Sequence, residues 1–219
     1  MPQKLRKNLF TAGVAAIATL LAGVGLAGAG LAGADTGVQR LEFDVYLDER
    51  RIGTHAYTIA STASGEARVR SEADFDVRFL AIPVYRYEHQ NTEVWRGDCL
   101  VSVEATTRTN GKRTAVSGER TESGFAIAGR AEALPDCVRS FAYWNPALLE
   151  QERLLNPQTG EFVTVRIERT VADPGADAAI VYRIEAGDRR IAVWYSTTQQ
   201  WLGLEAVVRG DRVLRYVRS

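Results

Sequence analysis

The stretch Arg68-Val-Arg-Ser-Glu-Ala-Asp-Phe-Asp-Val-Arg-Phe79 decides the fold. Val69, Ser71, Ala73, Phe75, Val77 and Phe79 fall on one side, and Arg68, Arg70, Glu72, Asp74, Asp76 and Arg78 on the other. Successive side chains of a strand point to opposite faces, so this alternation makes one half-buried β-strand. One face in a core and one in water is the habit of antiparallel sheets. The carboxylates Glu72, Asp74 and Asp76 suggest at first a cation site. Three arginines share their face, and a solvated, charge-balanced surface is the simpler reading.

The same period runs outward in both directions. Leu41, Phe43, Val45 and Leu47 alternate with polar partners, Asp48 to Gly53 turns, and Thr54 to Ala60 returns. Ser61 to Glu66 forms the next turn. Beyond Pro83, Val84 to Arg96 resumes the pattern. Leu100 to Thr107 and Thr114 to Arg120 flank Asn110-Gly111, a pair that tolerates positive φ and so favours a tight hairpin. Glu122-Ser123-Gly124 turns into a strand from Phe125 to Arg130. Five further strands are expected at Glu161–Val171, Ala178–Glu185, Arg190–Ser196, Gly203–Arg209 and Arg212–Val217. Asp173-Pro174-Gly175, Gly187-Asp188 and Gly210-Asp211 supply their turns. Arg209-Gly210-Asp211 spells an adhesion tripeptide but reads as ordinary turn chemistry.

One helix is expected, over Ala147 to Leu155. Asn145 caps it, Pro146 opens it and Asn156-Pro157 stops it. The fold class is therefore mainly β: a long curled antiparallel meander of about eleven strands, an open half-barrel, with one short helix against its concave face. So many strands cannot remain flat without leaving long exposed edges.

Residues 1–34 stand apart. Lys4, Arg6 and Lys7 precede an apolar run from Leu9 to Leu31, which ends on Ala32-Gly33-Ala34. Basic head, apolar run and small-x-small step are the layout of a secretory signal peptide. A retained anchor is the alternative, since the run is about long enough to span a bilayer. Arg6-Lys7 has only half of a twin-arginine pair. The domain reading is a leader at 1–34 and a single β-rich domain at 35–219, placed in the periplasm, with no membrane span after cleavage.

The full chain of 219 residues carries 27 basic and 27 acidic side chains. Without the three basic residues of the leader, the remainder has about three net negative charges. A neutral-to-acidic balance without a basic stripe argues against nucleic acid as a partner. Cys99 and Cys137 are the two cysteines. In an exported chain such a pair reads as a disulfide. C-x-x-C redox spacing is absent, and too few cysteines and histidines accompany the pair for a zinc site. No metal or cofactor is expected.

Chemistry-bearing patterns are sparse. His55 and His89 are the two histidines, and no G-x-S-x-G, H-E-x-x-H, phosphate-loop or dinucleotide motif occurs. No catalytic residue is assigned. The unusual face belongs to Val84–Arg96, where Tyr85, Tyr87, His89, Asn91, Glu93 and Trp95 point the same way. Aromatic groups bracketing hydrogen-bonding groups are a common lining for small-molecule sites. His55 and Tyr57 share a face of their own strand. In Phe141-Ala-Tyr-Trp-Asn-Pro146, Tyr143 and Trp144 either close a pocket mouth or anchor the helix. The candidate ligand-binding set is Tyr87, His89, Glu93, Trp95, Tyr143 and Trp144. Phe75, Val77 and Phe79 extend its apolar wall, and His89 and Glu93 orient a polar head.

Several phrases carry a family resemblance. These are Phe43-Asp-Val-Tyr-Leu-Asp48 with Ile52-Gly-Thr-His55, Ser71–Val77 with Ile82-Pro-Val-Tyr-Arg-Tyr87, and Phe141–Pro146. Leu154–Gly160, Val193-Trp-Tyr195 and Trp201-Leu-Gly-Leu204 complete them. Together they resemble a family of exported proteobacterial proteins of unknown function. That family is in turn distantly similar to LolA- and LolB-like half-barrels that hold acyl chains. The resemblance implies a Gram-negative periplasm and a curled sheet, and brings no catalytic residues. The favoured function is a non-enzymatic protein binding a lipid or other amphipathic molecule inside the sheet. The alternatives are an envelope structural protein whose sheet edge adds a partner's strand, and a hydrolase using His89 with Glu93.

Overall fold

The computed structural model describes residues 37–80, 82–170, 179–208 and 210–219. The expected leader, the Asp173-Pro174-Gly175 turn, Arg209 and the side chain of Phe79 lie outside this description. Fourteen strands follow in order: β1 Val38–Leu47, β2 Arg50–Ser61, β3 Glu66–Phe79, β4 Ile82–Arg96, β5 Cys99–Thr109, β6 Lys112–Thr121 and β7 Gly124–Ile127 come first. After a long connection come β8 Arg153–Leu155, β9 Phe162–Thr164, β10 Arg166–Thr170, β11 Ile180–Ala186, β12 Arg189–Tyr195, β13 Trp201–Val208 and β14 Arg212–Arg218.

Twelve of them make one antiparallel sheet in the order β10-β11-β12-β13-β14-β1-β2-β3-β4-β5-β6-β7, while β8 and β9 pair separately. Two meanders, β1–β7 and β10–β14, are thus joined where the last strand pairs with the first, Phe43 opposite Arg218 and Leu47 opposite Leu214. The sheet is not closed, and β7 and β10 are its edges. Leu134 covers β7 by exchanging two backbone hydrogen bonds with Phe125, at 3.0 and 2.8 Å.

The alternation read in the sequence is realised. On β3, Val69, Ser71, Ala73, Phe75 and Val77 are buried, while Arg68, Arg70, Glu72 and Asp74 are exposed. The carboxylates on that face behave as a solvated surface. Arg70 pairs with Glu72 at 2.8 Å and Arg78 with Asp76 at 2.8 Å. No metal-binding cluster occurs among the described residues. Pro83 is accommodated by a register shift between Val77 and Arg78, which places it opposite Arg78.

The expected helix is not formed. Asn145 does cap, its Oδ1 accepting from the Ala147 backbone N–H at 3.0 Å, but Pro146–Glu150 make only a single 3₁₀ turn. Leu154 and Leu155 are adjacent and both fully buried, which a helix of this length on one sheet does not achieve. They belong instead to β8, sandwiched inside the fold. The expected strand at Glu161–Val171 is likewise two strands. Val165 breaks it, turning its backbone N–H to Glu152 O at 2.8 Å.

The segment from Val138 to Val165 supplies Val138, Ala142, Leu148, Leu154, Leu155 and Val165 to the larger of two apolar clusters, together with Phe43, Trp95, Phe125, Val193, Tyr195 and Trp201 from the sheet. This segment fills much of the hollow. The disulfide Cys99–Cys137 fastens its start to β5, with a Cα–Cα distance of 4.8 Å. The second cluster, Val45, Leu47, Ile52, Ala73, Phe75, Val77 and Tyr87, lies toward the turn end of β1, β3 and β5.

Candidate functional site

A row of buried polar groups separates the two clusters. Along β4 the inward positions read Tyr87, His89, Asn91, Glu93 and Trp95, all buried, as the period of two requires. Only the first and last belong to the apolar clusters. Along β3 the corresponding break is Ser71, and along β2 it is His55. Register aligns them: His55, Ala73, His89 and Thr107 form one rung, and Tyr57, Ser71, Asn91 and Ala105 the next. The small side chains of Ala73 and Ser71 leave space between the two imidazoles, and aromatic rings pack around His55.

Tyr216 of β14 is the principal one. Its hydroxyl lies 3.3 Å from His55 Nδ1, and the hydroxyl of Tyr57 lies 3.3 Å from the same nitrogen. Tyr57 also stacks on His55, with ring centroids 4.3 Å apart. Among the described residues Nε2 of His55 has no hydrogen-bond partner, nor has Oδ1 of Asn91. His89 Nδ1 lies 2.9 Å from Thr107 Oγ1. Phe75 and Tyr87 stack at 5.1 Å, and Tyr216 meets Phe75 edge-on at 6.3 Å.

Burial sets the electrostatics. Desolvation pushes His55 down to about 3, with the second imidazole at His89 adding to the effect, and pushes His89 down to about 4. Both are therefore neutral near pH 7. Tyr57, Tyr87, Tyr143 and Tyr216 are all raised, first by burial; neighbouring tyrosines add to the effect at Tyr57, Tyr87 and Tyr216, while Arg189 partly offsets it at Tyr87 and Tyr143. The site is thus a set of neutral hydroxyls and imidazoles within reach of the charge of one exposed guanidinium, Arg189. It is suited to hydrogen-bonding an acceptor group, and no nucleophile–base–carboxylate chain is formed there among the described residues.

The sequence-derived candidates divide into two groups. Tyr87, His89 and Tyr143 surround this space with His55 and Tyr57. Glu93 and Trp95 lie further along β4, where the carboxylate accepts from Trp95 Nε1 at 3.0 Å and from Ser140 Oγ at 2.8 Å. Burial raises the Glu93 carboxyl, and these bonds oppose the shift. Trp144 packs edge-on against Trp95 at 5.5 Å. Tyr143 packs on Trp201 at 5.5 Å, and its carbonyl accepts from Tyr195 Oη at 2.8 Å. Tyr216 and Arg189 escaped the sequence reading. Tyr216 does sit at an inward position of an alternating strand, but its approach to His55 depends on the pairing of β14 with β1.

A single antiparallel sheet, curled but not closed about a buried polar row, defines a β-barrel-like protein. It shares its fold with the crystal structure of a β-barrel-like protein of the domain of unknown function DUF1849 from Brucella abortus: TM-score 0.56, 14% identity, 85% of this chain and 97% of that one covered. Residues 43–219 match the model of DUF6134, a domain of unknown function, and the chain belongs to that family. No curated protein matches it.

Proposed function

We propose that this chain is an exported periplasmic protein that binds an amphipathic molecule non-covalently inside its curled sheet. The polar head lies against His55, His89, Tyr87, Tyr143 and Tyr216, and the tail lies along Phe75 and Val77. The observation that carries this reading is the buried Nε2 of His55, unpartnered while two tyrosine hydroxyls share its Nδ1. A buried polar atom without a partner costs about 1–3 kcal/mol, and a ligand acceptor or donor placed there removes the cost. The charge of Arg189, which acts to lower Tyr87 and Tyr143, favours a carboxylate or similar anionic head. The basic–apolar–small layout of residues 1–34 and the Cys99–Cys137 bridge support an oxidising, extracytoplasmic location.

Titration with sodium laurate below its micelle concentration tests the proposal. Saturable one-site binding should shift the imidazole resonances of His55 and His89, and His55→Leu or Tyr216→Phe should weaken binding about tenfold. Unmoved imidazole resonances at saturating laurate, or equal binding by these variants, would reject it.

A further inference from the structure

The end of the sheet where β3 turns into β4 is unlike the rest of the surface. Leu80 is 81% exposed, Ile82 65%, Val84 55% and Tyr85 37%, so half of the eight large apolar side chains exposed among the described residues sit on one hairpin tip. Scattered exposed apolar residues are ordinary, but a contiguous group marks a contact surface. Leu80 has φ +49°, a left-handed conformation that costs a leucine energy and is ordinary for asparagine or glycine. An apolar side chain is thus held outward at a position where a polar residue fits the backbone better. A shallow groove of about 480 Å³ continues the patch along Pro83, Val84, Tyr85 and Asn110.

The collar around the tip is basic. Arg50 Nη1 donates to Arg78 O at 2.8 Å, and Arg78 and Arg86 share the single carboxylate of Asp76, at 2.8 and 3.9 Å. Lys112 opens β6 just after the neighbouring turn, which docks through Asn110 Oδ1, accepting from the Arg86 backbone N–H at 2.8 Å. Three guanidinium groups, those of Arg50, Arg78 and Arg86, therefore gather beside one carboxylate, that of Asp76. A stable protein interface buries about 20–30 residues a side, far more than this tip offers. Apolar residues at the point of a hairpin, a tyrosine behind them and a cationic collar behind that match the layers of an anionic bilayer surface.

We propose that the β3–β4 tip is a peripheral membrane-docking element. Leu80, Ile82 and Val84 enter the acyl boundary, Tyr85 lies at headgroup depth, and Arg50, Arg78 and Arg86 contact lipid phosphates. The docking is independent of any ligand in the interior. It is tested with the full chain and vesicles of phosphatidylglycerol with phosphatidylethanolamine, against vesicles of phosphatidylcholine. The Leu80→Asp, Val84→Asp double variant should bind the anionic vesicles at least tenfold more weakly, and Arg78→Gln with Arg86→Gln should remove the preference for anionic lipid. In a Leu80→Trp variant the introduced indole should shift to the blue and be quenched by lipid brominated near the headgroup. An unquenched indole overturns the proposal, as does a dimer in sedimentation velocity that Leu80→Asp dissolves while vesicle binding is absent.

Discussion

Ser140 Oγ donates to Glu93 Oε1 at 2.8 Å across 47 residues of sequence, and Glu93 Oε2 receives Trp95 Nε1 at 3.0 Å. One buried carboxylate thereby holds the interior segment to β4. Removing it strands two buried donors, so Glu93→Ala should lower unfolding stability by about 3 kcal/mol, and Ser140→Ala by about 1–2 kcal/mol. Denaturant unfolding of the two single variants and the double variant checks this. Effects that simply add would refute the coupling.

The Cys99–Cys137 bridge spans 38 residues and is the covalent tie between the sheet and the same segment. In the chain-entropy account a loop of that length stabilises by about 4 kcal/mol. Cys99→Ser with Cys137→Ser should lose about that amount under the same denaturant. The interior segment should gain hydrogen exchange before β1–β4 do.

Acid should weaken the fold through its histidines. The ordinary histidine value is 6.5, and His55 and His89 fall to about 3 and about 4. The unfolded chain therefore binds protons that the native chain refuses. Their contribution is complete above pH 6.5 and is lost as pH falls below it. At pH 5 the loss is about 2 kcal/mol for each. Glu93, raised by burial, acts in the opposite sense. Stability measured from pH 7 to 5 should fall, and His89→Leu should remove about half of the slope. A pH-independent stability over this range contradicts the neutral buried imidazoles.

Gly53 on β2 faces Phe75 in the register, and a Cβ there would lie 1.8 Å from the backbone oxygen of Asp74. Backbone cannot step aside within a paired ladder. Gly53→Ala should therefore cost about 3 kcal/mol or more, the mark of a strained site. Gly65→Ala meets no neighbour within 4 Å, and its cost should be limited to its positive φ. Thermal unfolding of the pair separates contact from conformation.

The strands were legible because burial along them is local arithmetic. The inward face of β4, from Tyr87 to Trp95, and that of β3, from Val69 to Val77, follow from a period of two. Asn110-Gly111 likewise forms the β5–β6 turn, both residues at positive φ. What failed was the region whose conformation is set by what it packs against. Asn145 and Pro146 do start a turn, but Leu154 and Leu155 are both claimed by the interior, and burial on two sides leaves only a 3₁₀ turn of five residues in place of the helix. The site was legible in part. His55, Tyr57, Tyr87, His89 and Tyr143 stood out by type and face. The burial of Glu93 against Ser140 and the arrival of Tyr216 over His55 are products of non-local pairing, which a single strand's pattern does not encode.

The pairing of β1 with β14 ties the assembly of the sheet to the order in which the chain is made. Val38–Leu47 obtains its second neighbour from Arg212–Arg218, and Ser219 N still donates to Glu42 O at 3.0 Å. Until β14 is available, each meander has an open strand at the seam. A chain so connected completes its sheet only once Arg212–Arg218 is in place, and truncation before that strand leaves two sticky edges rather than a smaller native protein.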